Sequence, residues 1–263
     1  MKIVVTGTRG IPGIQGGVET HCQELYPLIA DEQHEIIVIR RPNYAVERSV
    51  QIYKQVAIKD ISAPRSKHLE AFVHTFKAVI YARKVKADIV HIHAVGPALM
   101  TPVARLLGMK VVITHHGPDY DRDKWGRFAK WILCMGERAG VYYANHIIVI
   151  SEHIRQIIYH QYSAKRNVTL IHNGVNVPTR VIGTEYLESL DLTEYGYVLA
   201  VGRFVKEKNL DQLVEAFTQL SSPSMKLVIA GDADFQDEYA QKLKEVCWKQ
   251  KNICLTGFIK GDK

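Results

Sequence analysis

The chain has 263 residues, of which 47% are hydrophobic and 23% charged, a balance typical of a globular protein rather than a disordered or fibrous one. Its length exceeds that of one average domain, and it contains no apolar run long enough to span a bilayer. The four cysteines are scattered without a Cys-x-x-Cys pair, which argues against a disulfide framework and a structural zinc site. The formal net charge of +7 favours an anionic partner without identifying it.

Short β-branched runs alternate with helical patterns over the first two thirds of the sequence. The first run is followed by a glycine-rich turn and lacks the features of a signal peptide, so we expect a cytoplasmic protein. The predicted strands are Lys2–Thr6, Glu35–Ile39, Val50–Ile58, Asp88–His93, Lys110–Thr114, His146–Ile150 and Val168–His172. Most are continuously apolar, as in a parallel sheet covered on both faces. Val50–Ile58 alternates instead and predicts a more exposed strand.

Helical periodicity between these runs predicts the layers that cover the sheet. A first helix carries Val18, Cys22, Leu25 and Ile29 on one face. A second helix, Lys67–Lys86, is interpreted as an ordinary amphipathic core helix with its apolar face inward. That face consists of Leu69, Phe72, Val73, Phe76 and Ile80. Strands alternating with helices predict βαβ units and a doubly wound sheet.

A second α/β pattern follows Pro178. Residues 179–195 have weak periodicity and are interpreted as a linker between a first domain, 1–178, and a second, 196–263. The second domain is predicted to contain strands Tyr197–Val201, Lys226–Ala230 and Asn252–Thr256 and helices Asn209–Leu220 and Asp237–Gln250. Because three strands make a thin sheet with an unprotected edge, we expect this domain to be incomplete.

The first strand leads into a loop with glycines at positions 7, 10, 13, 16 and 17. Glycine permits positive φ and close approach of the backbone to a ligand. The N-terminus of the following helix offers free N–H groups and a positive dipole end, which suit phosphate. A tight turn without a ligand is the alternative, but the glycine content favours ligand contact.

The first three glycines also fit the TGxxGxxG spacing of extended short-chain dehydrogenases, so a nicotinamide enzyme is the main alternative. The second strand ends in Ile39–Arg41 without the acidic residue that binds the ribose of NAD, although arginines suit NADP. A Tyr-x-x-x-Lys pair occurs at Tyr120 and Lys124. It lies in a polar loop rather than a helix, and we interpret it as coincidental.

Six short motifs recur at the ends of the predicted strands. They are Gly16-Gly17-Val18-Glu19, Thr114-His115-His116-Gly117, Ile150-Ser151, His172-Asn173-Gly174-Val175, Val201-Gly202-Arg203-Phe204-Val205-Lys206-Glu207-Lys208-Asn209 and Ala230-Gly231-Asp232. Together, and in this order over nearly the whole chain, they resemble family 4 of the retaining glycosyltransferases, which have the GT-B fold of two Rossmann-like domains. The GTRGIPG and GGVET strings also resemble rhamnosyltransferase-like members of bacterial surface-polysaccharide pathways.

The resemblance implies roles for particular residues. His116 matches a histidine that lies near the anomeric centre of the donor, and Arg203 and Lys208 match cations that neutralise its leaving diphosphate. Its donor-binding positions also include Gly16, Gly17, Asn173 and Gly202, and its further candidates are His93, His115, Glu19, Ser151 and Asp232. The acceptor is expected mainly at the first domain and the donor mainly at the second.

The residues themselves support part of this assignment. Arg203 and Lys208 bracket a helix start at Asn209, which we expect to be a good N-cap, and two cations beside a helix N-terminus suit a diphosphate. Two solvated surface charges are the alternative. His91 and His93 share a strand face and are expected to be structural, with His93 near the edge of the cleft. None of the twelve histidines has metal-ligand spacing, so we expect a nucleotide-sugar co-substrate and no metal or other cofactor.

Two departures from the family pattern qualify the prediction. The family's E-x7-E element is absent, and Glu238 and Glu245 have the wrong spacing and place, so they are interpreted as a solvated helical face. The returning C-terminal helices of the fold are also absent, so an inactive fragment of the transferase is a further alternative.

Basic residues beside aromatic ones suggest contact with an acidic membrane surface. The helix Lys67–Lys86 is basic opposite its apolar face, and segment Lys124–Tyr143 adds Trp125, Phe128 and Trp131 among cations. No nucleic-acid motif accompanies the positive charge, so nucleic acid is not an expected partner. The sequence thus predicts an α/β glycosyltransferase with parallel sheets. It would move a hexose from a nucleotide sugar to a lipid-linked or saccharide acceptor, in the cytoplasm or on the inner face of the cytoplasmic membrane.

Overall fold

The computed structural model describes residues 1–64, 69–121, 125–162, 167–177, 183–220, 225–233 and 237–259. The chain forms two compact units, Met1–Asn176 and Val177–Lys263, so the division falls two residues before the predicted end of the first domain. Several predicted features lie outside the described residues: Lys67 of the second helix, Lys124 of the Tyr-x-x-x-Lys pair, residues 178–182 at the domain boundary and in the linker, and residues 260–263 of the second domain.

The first unit is built on one large sheet. Its strands are β1 (Lys2–Thr6), β2 (Glu35–Arg40), β3 (Ile52–Tyr53), β4 (Val56–Asp60), β5 (Ile89–His93), β6 (Lys110–His115), β7 (His146–Val149) and β8 (Val168–Leu170). Its helices are α1 (Gly17–Ile29), α2 (Glu70–Lys84), α3 (Thr101–Leu106), α4 (Arg127–Tyr143) and α5 (Glu152–Tyr162). Over the described residues the strand order is β3-β4-β2-β1-β5-β6-β7-β8, and all pairs except β3 with β4 are parallel. The predicted parallel α/β fold is confirmed.

The predicted single strand Val50–Ile58 is wrong, because this segment is the β3–β4 hairpin. Lys54 and Gln55 have φ of 44° and 71°, which turns the chain back on itself. β3 therefore pairs antiparallel with β4 at the edge of the sheet, and Ile52 is exposed. The alternating pattern predicted the exposure but not the turn, since neither lysine nor glutamine is a usual residue at positive φ.

Different helices cover the two faces of the sheet, because successive residues of a strand point to opposite sides. Val5 of β1 belongs to a buried cluster with Cys22 and Tyr26 of α1. Its neighbour Val4 belongs to a second cluster with Ala78 of α2 and with residues of α3. The central strands are thus buried on both sides, which explains their continuous apolar sequences.

The predicted orientation of α2 is also wrong. This helix buries His74, Thr75, Ala78, Val79 and Ala82 against the sheet. The apolar face expected in the core is turned outward instead: Leu69, Phe72, Phe76 and Ile80 are 56%, 41%, 43% and 45% exposed. Small side chains at positions 78 and 82 let the helix backbone lie close to the sheet, which a face of phenylalanines would prevent.

The second unit has strands β9 (Tyr197–Val201), β10 (Lys226–Ala230) and β11 (Ile253–Gly257) and helices α6 (Glu185–Ser189), α7 (Leu210–Gln219) and α8 (Glu238–Trp248). In the part that is described, the strands form a parallel sheet in the order β11-β10-β9, as predicted. The helices α7 and α8 pack on one face around Phe217 and Leu243. The predicted linker is partly helical, because α6 lies within it. Lys226 binds Asp191 with an Nζ–Oδ2 distance of 2.6 Å, which ties residues 183–195 to this unit.

Candidate functional site

The first unit brings several candidate residues together where its central strands end. β1 lies between β2 and β5, so the order of strands reverses at β1. Ligands of parallel α/β proteins bind outside the carboxyl ends of the strands at such a switch point. The ends of β1 and β6 lead here into the glycine-rich loop Gly7–Gly16 and into the turn His116–Pro118. This edge is the candidate site of the first unit.

The glycines of the first loop are explained largely by contacts within the protein. Gly7 has φ of 91°, and a Cβ at this position would overlap the carbonyl oxygen of His93. A Cβ at Gly16 would overlap the carboxylate of Glu19. Gly17 has open space around its Cα, so it is the glycine of this loop whose side-chain position is free for a ligand. Contacts within the protein thus account for Gly7 and Gly16, and the open space at Gly17, the first residue of α1, leaves room for the predicted ligand.

Glu19 stabilises the glycine-rich loop. Its side chain is 8% exposed, and its Oε1 accepts a hydrogen bond from the backbone N–H of Arg9 at 2.9 Å. The carboxylate lies in the first turn of α1, where the positive end of the helix dipole stabilises it. The carboxylate of Glu19 thus holds the glycine-rich loop at the candidate site.

A chain of hydrogen bonds connects His116 to the interior. The Nε2 atom of His116 lies 2.9 Å from Nδ1 of His93, and Nε2 of His93 lies 2.6 Å from the Tyr26 hydroxyl. The same hydroxyl lies 2.8 Å from Nδ1 of His91, whose Nε2 lies 2.8 Å from Oγ1 of Thr114. His93 is therefore joined directly to the candidate catalytic histidine. The sequence analysis placed it near the cleft but missed Tyr26, which follows Cys22 by one helical turn on the buried face of α1.

Burial keeps these histidines uncharged. It lowers the pKa of His116 to about 4, with further lowering by His21 and His115. It lowers the pKa of His91 to about 3 and that of His93 well below its ordinary value. His21 of α1, which the sequence analysis also missed, packs its ring edge against His116 at a centroid distance of 5.4 Å. At neutral pH these histidine rings are therefore uncharged and interact through neutral hydrogen bonds and ring packing.

His115 anchors the turn that carries His116. Its Nδ1 accepts a hydrogen bond from the Gly117 N–H at 3.1 Å, so its proton sits on Nε2, which donates to Glu137 at 2.7 Å. The hydroxyls of Tyr120 and Tyr162 also donate to Glu137. Burial alone would raise the pKa of this carboxyl, but the bonds from His115 and Tyr162 outweigh burial and lower it. His115 is thus a positioning residue, and Glu137 is the single acidic residue of α4.

Two further candidates of the first unit have different surroundings. Ser151 precedes α5, and its Oγ accepts a bond of 3.3 Å from the Ile154 N–H, so it caps that helix. Asn173 lies in an exposed segment after β8. Neither residue belongs to the hydrogen-bond chain of His116.

The cationic candidates of the second unit lie on the loop that follows β9. Gly202 donates its N–H to Ala230 at 2.9 Å and Phe204 donates to Asp232 at 3.0 Å, so this loop runs beside the loop after β10. Arg203 and Lys208 are both exposed. A Cβ placed on Gly202 would lie 3.8 Å from Cγ and Cδ of Lys208, so the lysine chain runs over this glycine.

Asn209 does not act as the predicted side-chain cap. It has φ of 48° and ψ of 37°, and its side chain makes no capping bond to α7. A short 3-10 turn, Lys206–Lys208, precedes it, so the left-handed residue redirects the chain between two helical turns. The first-turn N–H groups of α7 are consequently left without a side-chain partner from Asn209.

Asp232 has partners of its own within the second unit. Its Oδ1 lies 2.6 Å from Lys244 Nζ and accepts a bond of 2.7 Å from the Ala233 N–H. Glu238 pairs with Lys242 at 2.7 Å, and Glu245 is exposed. The interpretation of Glu238 and Glu245 as a solvated helical face is confirmed.

Comparison with known proteins identifies the family. Residues 15–178 match Glycosyltransferase Family 4, and residues 185–263 match Glycosyl transferases group 1. The chain belongs to glycosyltransferase family 4.

The chain is also similar to individual proteins. The uncharacterized glycosyltransferase MJ1607 of Methanocaldococcus jannaschii is 25% identical over 291 residues, covering 100% of this chain and 70% of its own. A Campylobacter jejuni enzyme, N-acetylgalactosamine-N,N'-diacetylbacillosaminyl-diphospho-undecaprenol 4-alpha-N-acetylgalactosaminyltransferase, is 33% identical over 89 residues, 34% of this chain and 23% of its own. The fold is similar to that of Anabaena Alr3699/HepE in complex with UDP-glucose, with a TM-score of 0.77 and 15% identity over 99% of this chain and 70% of that one.

The structure of this family 4 chain argues against the nicotinamide alternative. Arg40 is fully buried and binds Asp60 through two bonds, Nε–Oδ1 at 2.7 Å and Nη2–Oδ2 at 2.9 Å, so it is not available for the phosphate of NADP. The helix after the glycine-rich loop begins at Gly17, four residues beyond the third glycine of the dehydrogenase spacing. Tyr120 donates to Glu137, which supports the interpretation of the Tyr-x-x-x-Lys pair as coincidental.

The described residues contain neither a cluster of metal ligands nor a membrane-spanning helix. Across the ranges given above, no group of three or more His, Cys, Asp or Glu side chains is arranged to hold a metal ion. In the same ranges, no helix combines the length and the apolar character needed to cross a bilayer.

We predict different effects for two glycines at the two ends of the first loop. Gly7→Ala should destabilise the chain by about 2 kcal/mol or more, because the new methyl would meet the His93 carbonyl at an unfavourable φ. Gly17→Ala should be neutral or stabilising by up to about 1 kcal/mol, because it is helical and has open space around it. Urea denaturation followed by circular dichroism measures both. Equal effects of the two substitutions would contradict this account of the loop.

We also predict a loss of stability on acidification that starts near pH 6.5. The pKa of His74, His91, His93 and His116 is lowered by burial, so the unfolded chain binds protons below pH 6.5 while the folded chain does not. Each histidine contributes up to about 1.4 kcal/mol per pH unit until its folded pKa is reached. Denaturation between pH 7.5 and 5 tests this. His74→Leu should reduce the slope by one such contribution, and a flat profile of the parent chain would refute the prediction.

Proposed function

We propose that this chain binds a nucleotide-sugar donor and transfers its sugar, with retention of anomeric configuration, to a lipid-linked or saccharide acceptor of bacterial surface polysaccharide. The observation that carries the proposal is the loop after β9, which presents Arg203 and Lys208 beside the start of α7. The UDP-glucose bound by Alr3699/HepE and the diphospho-undecaprenol in the name of the Campylobacter enzyme support the donor and acceptor classes.

In this proposal the second unit binds the diphosphate of the donor. The backbone N–H groups at the start of α7 and the positive end of its dipole attract an anion. Arg203 adds a planar donor that suits phosphate oxygens, and Lys208 adds a point charge held over Gly202. These charges stabilise the diphosphate as the bond to the sugar breaks, which is where negative charge develops.

His116 would act on the sugar of the donor. It is partly exposed and uncharged at neutral pH, and within the described chain its Nδ1 has no hydrogen-bond partner. That nitrogen is available to a hydroxyl of the sugar. An uncharged ring avoids repulsion with an oxocarbenium-like transition state, whose positive charge is centred on the sugar. Gly17 leaves room at the start of α1 for an acceptor.

Replacing the cations tests the donor site. Arg203→Ala should lower sugar transfer on the order of 100-fold and weaken donor binding, because one charge-assisted contact to the developing diphosphate charge is lost. Lys208→Ala should act in the same direction. Lys242→Ala is the matched control, since Lys242 pairs with Glu238 on the exposed face of α8.

The measurements are calorimetric titration of the chain with UDP-, GDP- and dTDP-sugars, and sugar transfer to a diphospho-undecaprenol acceptor. Circular dichroism verifies that each variant is folded. Near-normal donor binding and turnover in Arg203→Ala would rule out the proposed diphosphate site.

We further propose that the first unit lies on an acidic membrane surface. Phe72, Phe76 and Ile80 form an exposed apolar stripe on α2, and Phe128 and Trp131 are 73% and 57% exposed on α4. Both helices begin at the edge of the sheet where the strands end, which is the edge of the candidate site. Monomeric proteins rarely expose large aromatic side chains in such groups.

The charges around this surface favour anionic lipid. Arg83 and Lys84 are exposed on the last turn of α2, and Arg127 and Arg138 are exposed on α4. With the net charge of +7, these cations supply the long-range attraction, and the aromatic side chains supply burial at the headgroup level. A site beside the bilayer would be within reach of a lipid-linked acceptor.

Flotation with liposomes tests the membrane proposal. The chain should float with vesicles rich in phosphatidylglycerol and less with phosphatidylcholine alone. Phe72→Ser combined with Phe76→Ser should abolish flotation, while Arg83→Glu with Lys84→Glu should remove the preference for acidic lipid. Exposed Leu220 of the second unit offers a control, Leu220→Ser, that should float like the parent. Recovery unaffected by lipid charge and by the phenylalanine substitutions would contradict the proposal.

A further inference from the structure

The hydrogen-bond chain that ends at His116 constrains where each proton can sit. Five side chains take part in sequence: Thr114, His91, Tyr26, His93 and His116. A neutral imidazole carries one N–H and one lone pair, and a hydroxyl carries one hydrogen. Each contact joins two groups, of which one must donate and the other accept. The direction of the hydrogen bond at Thr114 therefore determines the direction of the bond at His116.

Tyr26 is the branch point of the chain. Its hydroxyl lies between Nδ1 of His91 and Nε2 of His93, at 2.8 Å and 2.6 Å, and has one hydrogen for two contacts. It donates to one histidine and accepts from the other. Only two proton arrangements therefore satisfy all three groups.

In the first arrangement Tyr26 donates to His93. The proton of His93 is then on Nδ1 and is donated to Nε2 of His116, so the proton of His116 must be on Nδ1, the nitrogen without a partner in the described chain. His91 donates from Nδ1 to Tyr26, and its Nε2 accepts from the Thr114 hydroxyl. Every donor hydrogen inside the chain has an acceptor.

In the second arrangement Tyr26 donates to His91 and every bond reverses. His91 then donates from Nε2 to Thr114, and His116 donates from Nε2 to His93, leaving a lone pair on its Nδ1. The hydrogen of Thr114 has no acceptor among the contacts of the described residues, although the side chain is 2% exposed. A buried hydroxyl hydrogen without a partner is unfavourable, so the first arrangement is favoured.

Cys22 does not distinguish the two arrangements. Its Sγ lies 3.7 Å from Nε2 of His93. A thiol is both a weak donor and a weak acceptor, so it can contact that nitrogen whether or not the nitrogen carries the proton. The buried hydroxyl of Thr114 is therefore the group that decides between them.

We infer that Tyr26 and Thr114 are positioning residues that hold His116 in the tautomer protonated at Nδ1, so that it presents a hydrogen-bond donor to its ligand. The identity of that ligand, an oxygen of the donor sugar, rests on the proposed function. The tautomer itself does not, because it follows from contacts within the first unit. With its proton on Nδ1, His116 donates a hydrogen bond to a lone pair of a sugar oxygen. It therefore discriminates against a ligand that presents only a hydrogen-bond donor to Nδ1.

Histidine nitrogen chemical shifts measure the tautomer directly. In two-bond proton–nitrogen spectra of the parent chain at neutral pH, His116 should show Nδ1–H in about tenfold excess, the scale of one neutral hydrogen bond. Loss of its cross-peaks in His116→Asn assigns the signals. Tyr26→Phe and Thr114→Val should each shift the population toward Nε2–H, although Thr114 and the Nδ1 atom of His116 stand at opposite ends of the chain.

Matched variants separate this effect from a loss of packing. Thr114→Ser keeps the hydroxyl and should restore the parent tautomer. Tyr81→Phe removes a tyrosine hydroxyl from the same unit outside the chain, and should leave the His116 signals unchanged. Where Tyr26→Phe fails to fold, the Thr114→Val and Thr114→Ser pair carries the test.

The outcome is independent of whether the chain transfers sugar. Absence of Nδ1–H at His116 in the parent, or its full retention in both Tyr26→Phe and Thr114→Val, would overturn the inference while leaving the donor-binding result standing. Conversely, a failed donor titration with the expected shifts would leave the tautomer assignment intact. In the active enzyme, Tyr26→Phe should lower kcat/KM about tenfold, and Thr114→Ser should not.

Discussion

The approach of β1 to β5 at their carboxyl ends is the constraint on which the candidate site depends. Gly7 can pass the carbonyl of His93 only because it has no side chain, and this passage places α1 over the end of β5. Tyr26 and Cys22 of α1 then contact His93, and His93 contacts His116 in the turn that follows β6. Three elements distant in sequence are joined through one buried imidazole, so a small displacement of the first loop would break the whole series of contacts.

Two separate polar networks support the turn that carries His116. One reaches it from the side of α1 through His93, and the other holds its neighbour His115 against Glu137 of α4. In both, burial raises the cost of any polar group without a partner, and hydrogen bonds meet that cost. The networks differ in charge, because the histidine chain is neutral whereas Glu137 is a carboxylate stabilised by three donors. His116 is thereby held in place on a turn that glycine would otherwise leave free to move.

The cationic candidate residues of the second unit are exposed, unlike the buried polar groups of the first unit. The loop after β9 holds these cations beside a helix start, where they cost little to maintain in water and attract an anion at a distance. In the first unit the exposed faces of α2 and α4 carry aromatic side chains together with cations, and both helices begin at the sheet edge where the strands end. Small residues on the buried side of α2 let the helix pack closely and turn its phenylalanines outward.

The sequence by itself determined the architecture and supplied the candidate residues of the site. Continuous apolar runs such as Lys110–Thr114 identified nine strands to within two residues at each end, and periodicity identified helices such as Asn209–Leu220, because period and burial are local properties. The motifs at strand ends predicted His116, Arg203 and Lys208 as candidate site residues. Prediction from local sequence failed where one pattern is compatible with two structures. The alternation in Val50–Ile58 fits a single strand or a hairpin, and asparagine at position 209 fits a helix cap or a left-handed turn.

Only the tertiary structure decided what each side chain does. An amphipathic pattern does not say which side of α2 meets the sheet, because that depends on whether the residues at the contact are small enough for close packing. The sequence likewise does not reveal that Tyr26, His93 and His116, or His115 and Glu137, are partners, since hydrogen bonds between residues far apart in the chain are set by strand order. Function in this site rests on such long-range pairs, and they exist only once the sheet has formed.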